Sequence, residues 1–180
     1  MIAKLARLRV ALGFVCGVAV LWLAQPTGWT LAVGTSIAVV GECLRVWAAG
    51  HLNKAREVTT SGPYRWFAHP LYVGSSIMGV GLAVVSGSAV VAALIALYLT
   101  VTLTAAIKSE EAFLRRTFGD RYDQYRGGAP DGQRRRFSVA QALANREYRA
   151  ITGLAMAVLL LALKATYNGA FWRAAGTLVR

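Results

Sequence analysis

Residues 70–111, PLYVGSSIMGVGLAVVSGSAVVAALIALYLTVTLTAAIKSEE, decide the fold. No charged side chain occurs from Pro70 to Ile107, and the run is interrupted only by Ser86-Gly87-Ser88, a tight uncharged turn. Two apolar stretches, about Pro70–Val85 and Ala89–Ile107, therefore read as a helical hairpin that crosses a bilayer and returns. Lys108-Ser109-Glu110-Glu111 marks the exit. Pro70 suits the first turn of a helix, where its missing N–H costs nothing. His69 falls just outside, biased toward extended backbone by the proline that follows.

The same pattern extends in both directions. A span is expected at about Leu5–Ala24, followed by the uncharged turn Gln25-Pro26-Thr27-Gly28. A second is expected at about Trp29–Ala49 and a fifth at about Ala150–Tyr167. The chain of 180 residues is 56% hydrophobic and 16% charged, with mean hydropathy +0.47. A soluble domain would carry about 25% charged residues. The basic start at Lys4, Arg7 and Arg9 precedes an apolar run, but no polar mature domain follows, so this is a first span rather than a signal peptide. The expected fold is an all-α, polytopic membrane helical bundle with about five transmembrane helices. A cytoplasmic interfacial helix is added at Ala112–Arg126, where Leu114, Phe118, Tyr122 and Tyr125 share one face. The chain reads as one integral membrane domain. Residues 1–49 form two N-terminal spans, 50–126 a core, and 127–180 a basic loop with the fifth span.

The formal net charge of +12 does not point to nucleic acid, because the basic residues lie in short loops beside apolar helices. Membrane topology and anionic headgroups account for them. With the N-terminus inside, seventeen of the 20 lysines and arginines fall on the cytoplasmic side, leaving Lys164, Arg173 and Arg180 outside. Both polar regions, 50–67 and 108–145, then face the cytoplasm and the C-terminus lies outside. The expected location is a bacterial inner membrane.

Some polar residues sit within the spans. Gly13 and Gly17 have a small-xxx-small spacing that lets another helix approach. Glu42 and Arg45, three residues apart in the second span, read as a mutual ion pair with Arg45 snorkelling to the interface. An intramembrane functional role is the alternative. Cys16 and Cys43 belong to no Cys/His cluster, so buried free thiols are expected and no metal site has a ligand set. Gly79-Val80-Gly81 has no strand before it and is not a dinucleotide fingerprint.

The stretch Thr59-Thr60-Ser61-Gly62-Pro63-Tyr64-Arg65-Trp66-Phe67-Ala68-His69-Pro70-Leu71-Tyr72 enters the hairpin on the side where Glu110 and Glu111 leave it. A three-residue connection makes those ends neighbours. Two readings fit: a helix-capping histidine with interfacial aromatics, or a histidine, tyrosines and carboxylates that bind a polar cofactor serving a lipid-soluble partner.

The run Ser61-Gly62-Pro63-Tyr64 through His69-Pro70-Leu71-Tyr72 resembles the SGxY…RHPxY signature of the isoprenylcysteine carboxyl methyltransferase family. Glu110-Glu111-Ala112-Phe113-Leu114, then Phe118-Gly119-Asp120-Arg121-Tyr122 and Tyr125, resemble its EExxL…FGxxYxxY ending. The resemblance covers roughly residues 50–126 and extends to a superfamily that includes phospholipid methyltransferases and membrane sterol reductases. It implies S-adenosylmethionine as cofactor, bound at the cytoplasmic face. The implied cofactor-binding residues are Tyr64, His69, Pro70, Leu71, Tyr72 and Glu110. Arg56, Glu57, Val58 and Thr59 join them by position only. The implied reaction is methyl transfer to a lipophilic small-molecule or lipid-linked substrate delivered from among the membrane lipids. Two departures stand out. Ala68 replaces the signature arginine, and Ala106 stands where the animal and fungal enzymes carry a substrate-binding arginine, which speaks against a prenylcysteine carboxylate as acceptor. An NADPH-dependent membrane reductase and a scaffold without turnover are the alternatives.

Overall fold

The computed structural model describes residues 2–53, 59–119 and 136–168, with side chains of the first helix described from residue 13 onward. Among the described residues six α-helices follow in order: α1 (Ile2–Leu23), α2 (Gly28–His51), α3 (Pro70–Ser86), α4 (Ala89–Phe118), α5 (Val139–Ala144) and α6 (Tyr148–Tyr167). A 3-10 turn, Gly62–Arg65, precedes α3. Among the described residues every regular element is helical.

The first three spans and the fifth lie within a few residues of their expected limits. The fourth does not end at Lys108. Lysine, serine and glutamate all tolerate helix, so polarity marks the exit from the bilayer without breaking the hydrogen-bond ladder. α4 therefore continues through the start of the expected interfacial helix to Phe118. Residues 120–126 of that segment lie outside the described residues. The short α5, begun by Ser138 accepting from Gln141 N–H, was not expected.

Among the described residues, α2, α4 and α6 are long and apolar enough to cross a membrane, and Gly13–Leu23 and α3 add shorter apolar helices. At 17 residues α3 spans about 26 Å, close to the ~30 Å hydrocarbon core. Only 6% of the apolar window of α4 is buried against protein. So much exposed apolar surface requires lipid around it. The protein is an all-α membrane helical bundle.

α2 and α3 form the most intimate pair in the bundle. Their backbones meet through glycines set two helical turns apart on each helix. A Cβ added to Gly34 would lie 2.6 Å from Gly81 O, and one added to Gly41 would lie 2.6 Å from Gly74 O. No side chain fits there. The anticipated Gly13/Gly17 pair contributes less: Gly13 lies beside the Tyr98 hydroxyl of α4, while Gly17 has open space around it. The free cysteines are also less enclosed than expected, with Cys16 half-buried and Cys43 exposed on the side of α2.

The two ends of the bundle differ. At the turn end, Gln25 N–H donates to Ser86 O at 2.6 Å, the Thr30 hydroxyl donates to Val85 O at 3.3 Å, and Gly87 takes a left-handed φ of 60°. Ala24, Leu31, Val85, Leu161 and Ala165 form a small apolar core there. The Lys164 ammonium from α6 donates to the terminal carbonyls of α1 at Leu21 and Trp22. At the loop end, the last carbonyls of α2 are satisfied by α5 and the residue after it. Gln141 donates to Leu52 O at 2.9 Å, and the Asn145 amide donates to Ala49 O and Leu52 O at 2.8 Å. Helix termini leave such carbonyls orphaned unless a partner reaches them.

Candidate functional site

The loop end is built on Gly62. Its φ of +60° and its contact with His51, whose ring atoms a Cβ would meet at 2.7 Å, both require glycine. The turn that follows packs on α2, with Pro63 and Tyr64 buried. Trp66 packs against Trp47 with ring centroids 5.7 Å apart and the ring planes tilted by 56°. His51 is held by its Nδ1–H donating to Trp47 O at 3.0 Å and by Phe137, 6.1 Å ring to ring. Backbone from Phe67 then leads to His69, which occupies the N-cap position of α3 with Pro70 buried behind it.

His69 does not cap the helix. Its side chain makes no cap hydrogen bond. Instead the imidazole faces α4, with Nδ1 3.6 Å from Glu110 Oε2 and Nε2 3.4 Å from Glu111 Oε1. The Tyr72 ring lies 5.6 Å away, centroid to centroid. Having a carboxylate at each ring nitrogen favours the doubly protonated imidazole, which donates from both. The Glu110 hydrogen bond, against the opposing effect of burial and with help from Glu111, raises the His69 pKa above its ordinary value. The carboxylates address opposite edges of the ring, so the three groups do not converge on a point that a metal ion could occupy.

Seven of the ten expected site residues fall among the described residues. His69, Tyr72 and Glu110 come together as the hairpin required. Glu111, which the sequence placed beside Glu110 without naming it as a cofactor contact, is as close to His69 as Glu110 is. Tyr64 is buried in the turn, and Leu71 turns its carbonyl toward α2. Thr59 is buried, and its hydroxyl accepts from Asn53 N–H at 3.3 Å, a contact internal to its loop. Arg56, Glu57 and Val58 lie outside the described residues.

A second charged cluster lies between α2, α3 and the start of α6. Arg45 is paired with Glu42 as expected, Nε to Oε2 at 3.5 Å, but its closer partner is Glu147, 2.8 Å from Nε. Its terminal nitrogen reaches α3, donating to the Ser75 hydroxyl and to Leu71 O. Arg45 therefore reaches sideways into the bundle and does not snorkel. The run before α6 offered no spacing by which Glu147 could have been paired with it.

Comparison with known proteins supplies the family. The profile of the phospholipid methyltransferase family (PEMT) matches residues 4–121. The nickel-cobalt-cadmium resistance protein NccN of Alcaligenes xylosoxydans xylosoxydans is 36% identical over 111 residues, covering 61% of this chain and 50% of that protein. The protein-S-isoprenylcysteine O-methyltransferase of Schizosaccharomyces pombe is 34% identical over 98 residues, covering 54% of this chain and 42% of the enzyme. The human enzyme of the same name is 30% identical over 116 residues, covering 58% and 41%. The chain thus spans about half the length, or less, of the curated relatives it matches. No solved structure matches it. With a family profile covering well over half of its residues, the chain belongs to the phospholipid methyltransferase family, within the superfamily that includes the isoprenylcysteine methyltransferases.

Proposed function

We propose that the protein transfers a methyl group from S-adenosylmethionine to a lipophilic acceptor at the cytoplasmic membrane face. The observation that carries this reading is the pairing of His69 with Glu110 and Glu111 beside Tyr72, at the loop end of a membrane bundle. Seventeen of 20 basic residues fall on this side if the N-terminus is inside, which supports a cytoplasmic loop end in a bacterial inner membrane.

The donor set suits the cofactor. The His69 imidazolium and the Tyr72 hydroxyl can donate to its carboxylate, and Glu110 or Glu111 can accept from its amine or ribose. When bound, S-adenosylmethionine supplies an electrophilic methyl group. The protein's own task is then placement: hold the cofactor at the rim and admit the acceptor from the lipid in line with it. The guanidinium of Arg45 is already engaged by two carboxylates, so it does not replace the arginine missing at Ala106. This supports an acceptor other than a carboxylate.

Purified protein in detergent is titrated with S-adenosylmethionine and, separately, with NADPH. Micromolar binding of the former, lost in His69→Ala and in Glu110→Ala, is expected. Binding of NADPH alone sinks the reading in favour of a reductase, and binding of neither favours a scaffold. A one-methyl mass gain on a membrane lipid or quinone, dependent on active protein, names the acceptor.

A further inference from the structure

Arg45, Glu42 and Glu147 form a triad in which both carboxylates and the Arg45 Nε are buried, with side chains 18%, 9% and 8% exposed in that order. Two carboxylates share one guanidinium. Both oxygens of Glu42 lack a hydrogen bond, and the Arg45 Nε–Glu147 contact, though short, is off-line for one. Burying three charges with imperfect pairing is a poor way to gain stability, since apolar side chains of similar volume often serve as well or better. The triad fixes a position instead. The Arg45 stem crosses Gly74, where an added Cβ would sit 2.6 Å from Cγ, so the bare glycine lets the side chain run close against α3. There it grips the Ser75 hydroxyl and the Leu71 carbonyl, both in the first turns of the helix. Ser75 also donates back to Leu71 O at 2.9 Å, closing a small network around that carbonyl. His69 and Tyr72 belong to this same turn, and His69 O receives the N–H groups of Tyr72 and Val73.

We propose that Arg45 is a positioning residue: held by Glu42 and Glu147, it fixes the first turn of α3 and thereby places His69 and Tyr72 against the carboxylates of α4. Glu147 lies beyond residues 4–121, so a segment outside the family match contributes to the geometry of the site. The importance of this placement for methyl transfer rests on the function proposed above. The placement itself does not.

The chain has only two histidines, so the imidazole signals of isotope-labelled full-length protein can be titrated by NMR in detergent, with His69→Ala supplying the assignment. Arg45→Met gives opposite signs for the two possible effects. Loss of a positive charge alone raises the His69 pKa, whereas drift of His69 away from Glu110 and Glu111 lowers it. A fall of about one pH unit is expected, with S-adenosylmethionine affinity weakened about tenfold or more. Ser75→Ala changes no charge and tests the same grip should Arg45→Met not fold. It is expected to lower the His69 pKa by a few tenths of a unit, and Ser75→Thr, which keeps the hydroxyl, is expected to restore it. A His69 pKa unchanged or raised in the folded variants overturns the proposal. If the wild-type protein binds no S-adenosylmethionine while the His69 pKa falls as expected, the positioning stands and the methyltransferase reading fails.

Discussion

Among the described residues, two charged clusters lie at the same end of the bundle, and they are built differently. The rim cluster joins one histidine to two carboxylates over 3.4–3.6 Å, with the Glu110 side chain still 35% exposed. The inner cluster joins one arginine to two carboxylates, one of them at 2.8 Å, and buries both carboxylates, leaving Arg45 18% exposed. Long, partly solvated contacts can be exchanged for a ligand at small cost, because water and the ligand offer comparable partners. Buried ones cannot be released without leaving a charge stranded. A binding site needs the first kind, and the scaffold beneath it needs the second.

The largest effect is expected from breaking the inner cluster asymmetrically. Arg45→Met strands Glu42 and Glu147 and should cost about 3–5 kcal/mol, read as a fall in thermal unfolding temperature in detergent. Replacing all three together by Glu42→Leu, Arg45→Met and Glu147→Leu should recover most of that loss. Failure to recover would mean that the triad contributes stability in its own right. The rim should respond in the opposite manner. Glu110→Gln is expected to leave unfolding within about 0.5 kcal/mol of wild type while weakening S-adenosylmethionine binding about tenfold or more, measured by calorimetry. A large stability loss there would erase the distinction between the clusters.

The smallest effect is a slope. The His69 pKa is raised in the folded protein, chiefly by Glu110, so the pairing's contribution to stability is complete below the ordinary histidine pKa. It is lost as pH rises through the elevated value. Unfolding temperature should therefore decline as pH climbs from about 6 past that value, and Glu110→Gln should flatten this decline. An identical slope in the variant would show that His69 is not the titrating group.

The spans were legible because apolar runs bounded by Gly, Pro and Ser are strong signals, and Ser86-Gly87-Ser88 with Pro70 fixed the hairpin almost to the residue. That hairpin made the meeting of His69 with Glu110 foreseeable. Three things were not legible. α4 passes through Lys108-Ser109-Glu110-Glu111 because leaving the bilayer and ending a helix are separate events. The α2–α3 contact depends on Gly34 and Gly41 meeting Gly81 and Gly74, a match between two helices that no single stretch displays. Glu147 joins Arg45 only after α5 and α6 have docked, so its partner could not be found by local spacing.

The four glycines between α2 and α3 have one more consequence. In a saturation-mutagenesis map of this protein, Gly34, Gly41, Gly74 and Gly81 should appear as intolerant as His69. Even alanine would place a carbon well inside van der Waals contact distance of a facing main-chain oxygen at each of them. A fitness landscape read without the coordinates would assign these positions to chemistry. Scored instead for the amount of folded protein in the membrane, they should separate from His69 and Glu110, whose variants remain abundant but idle.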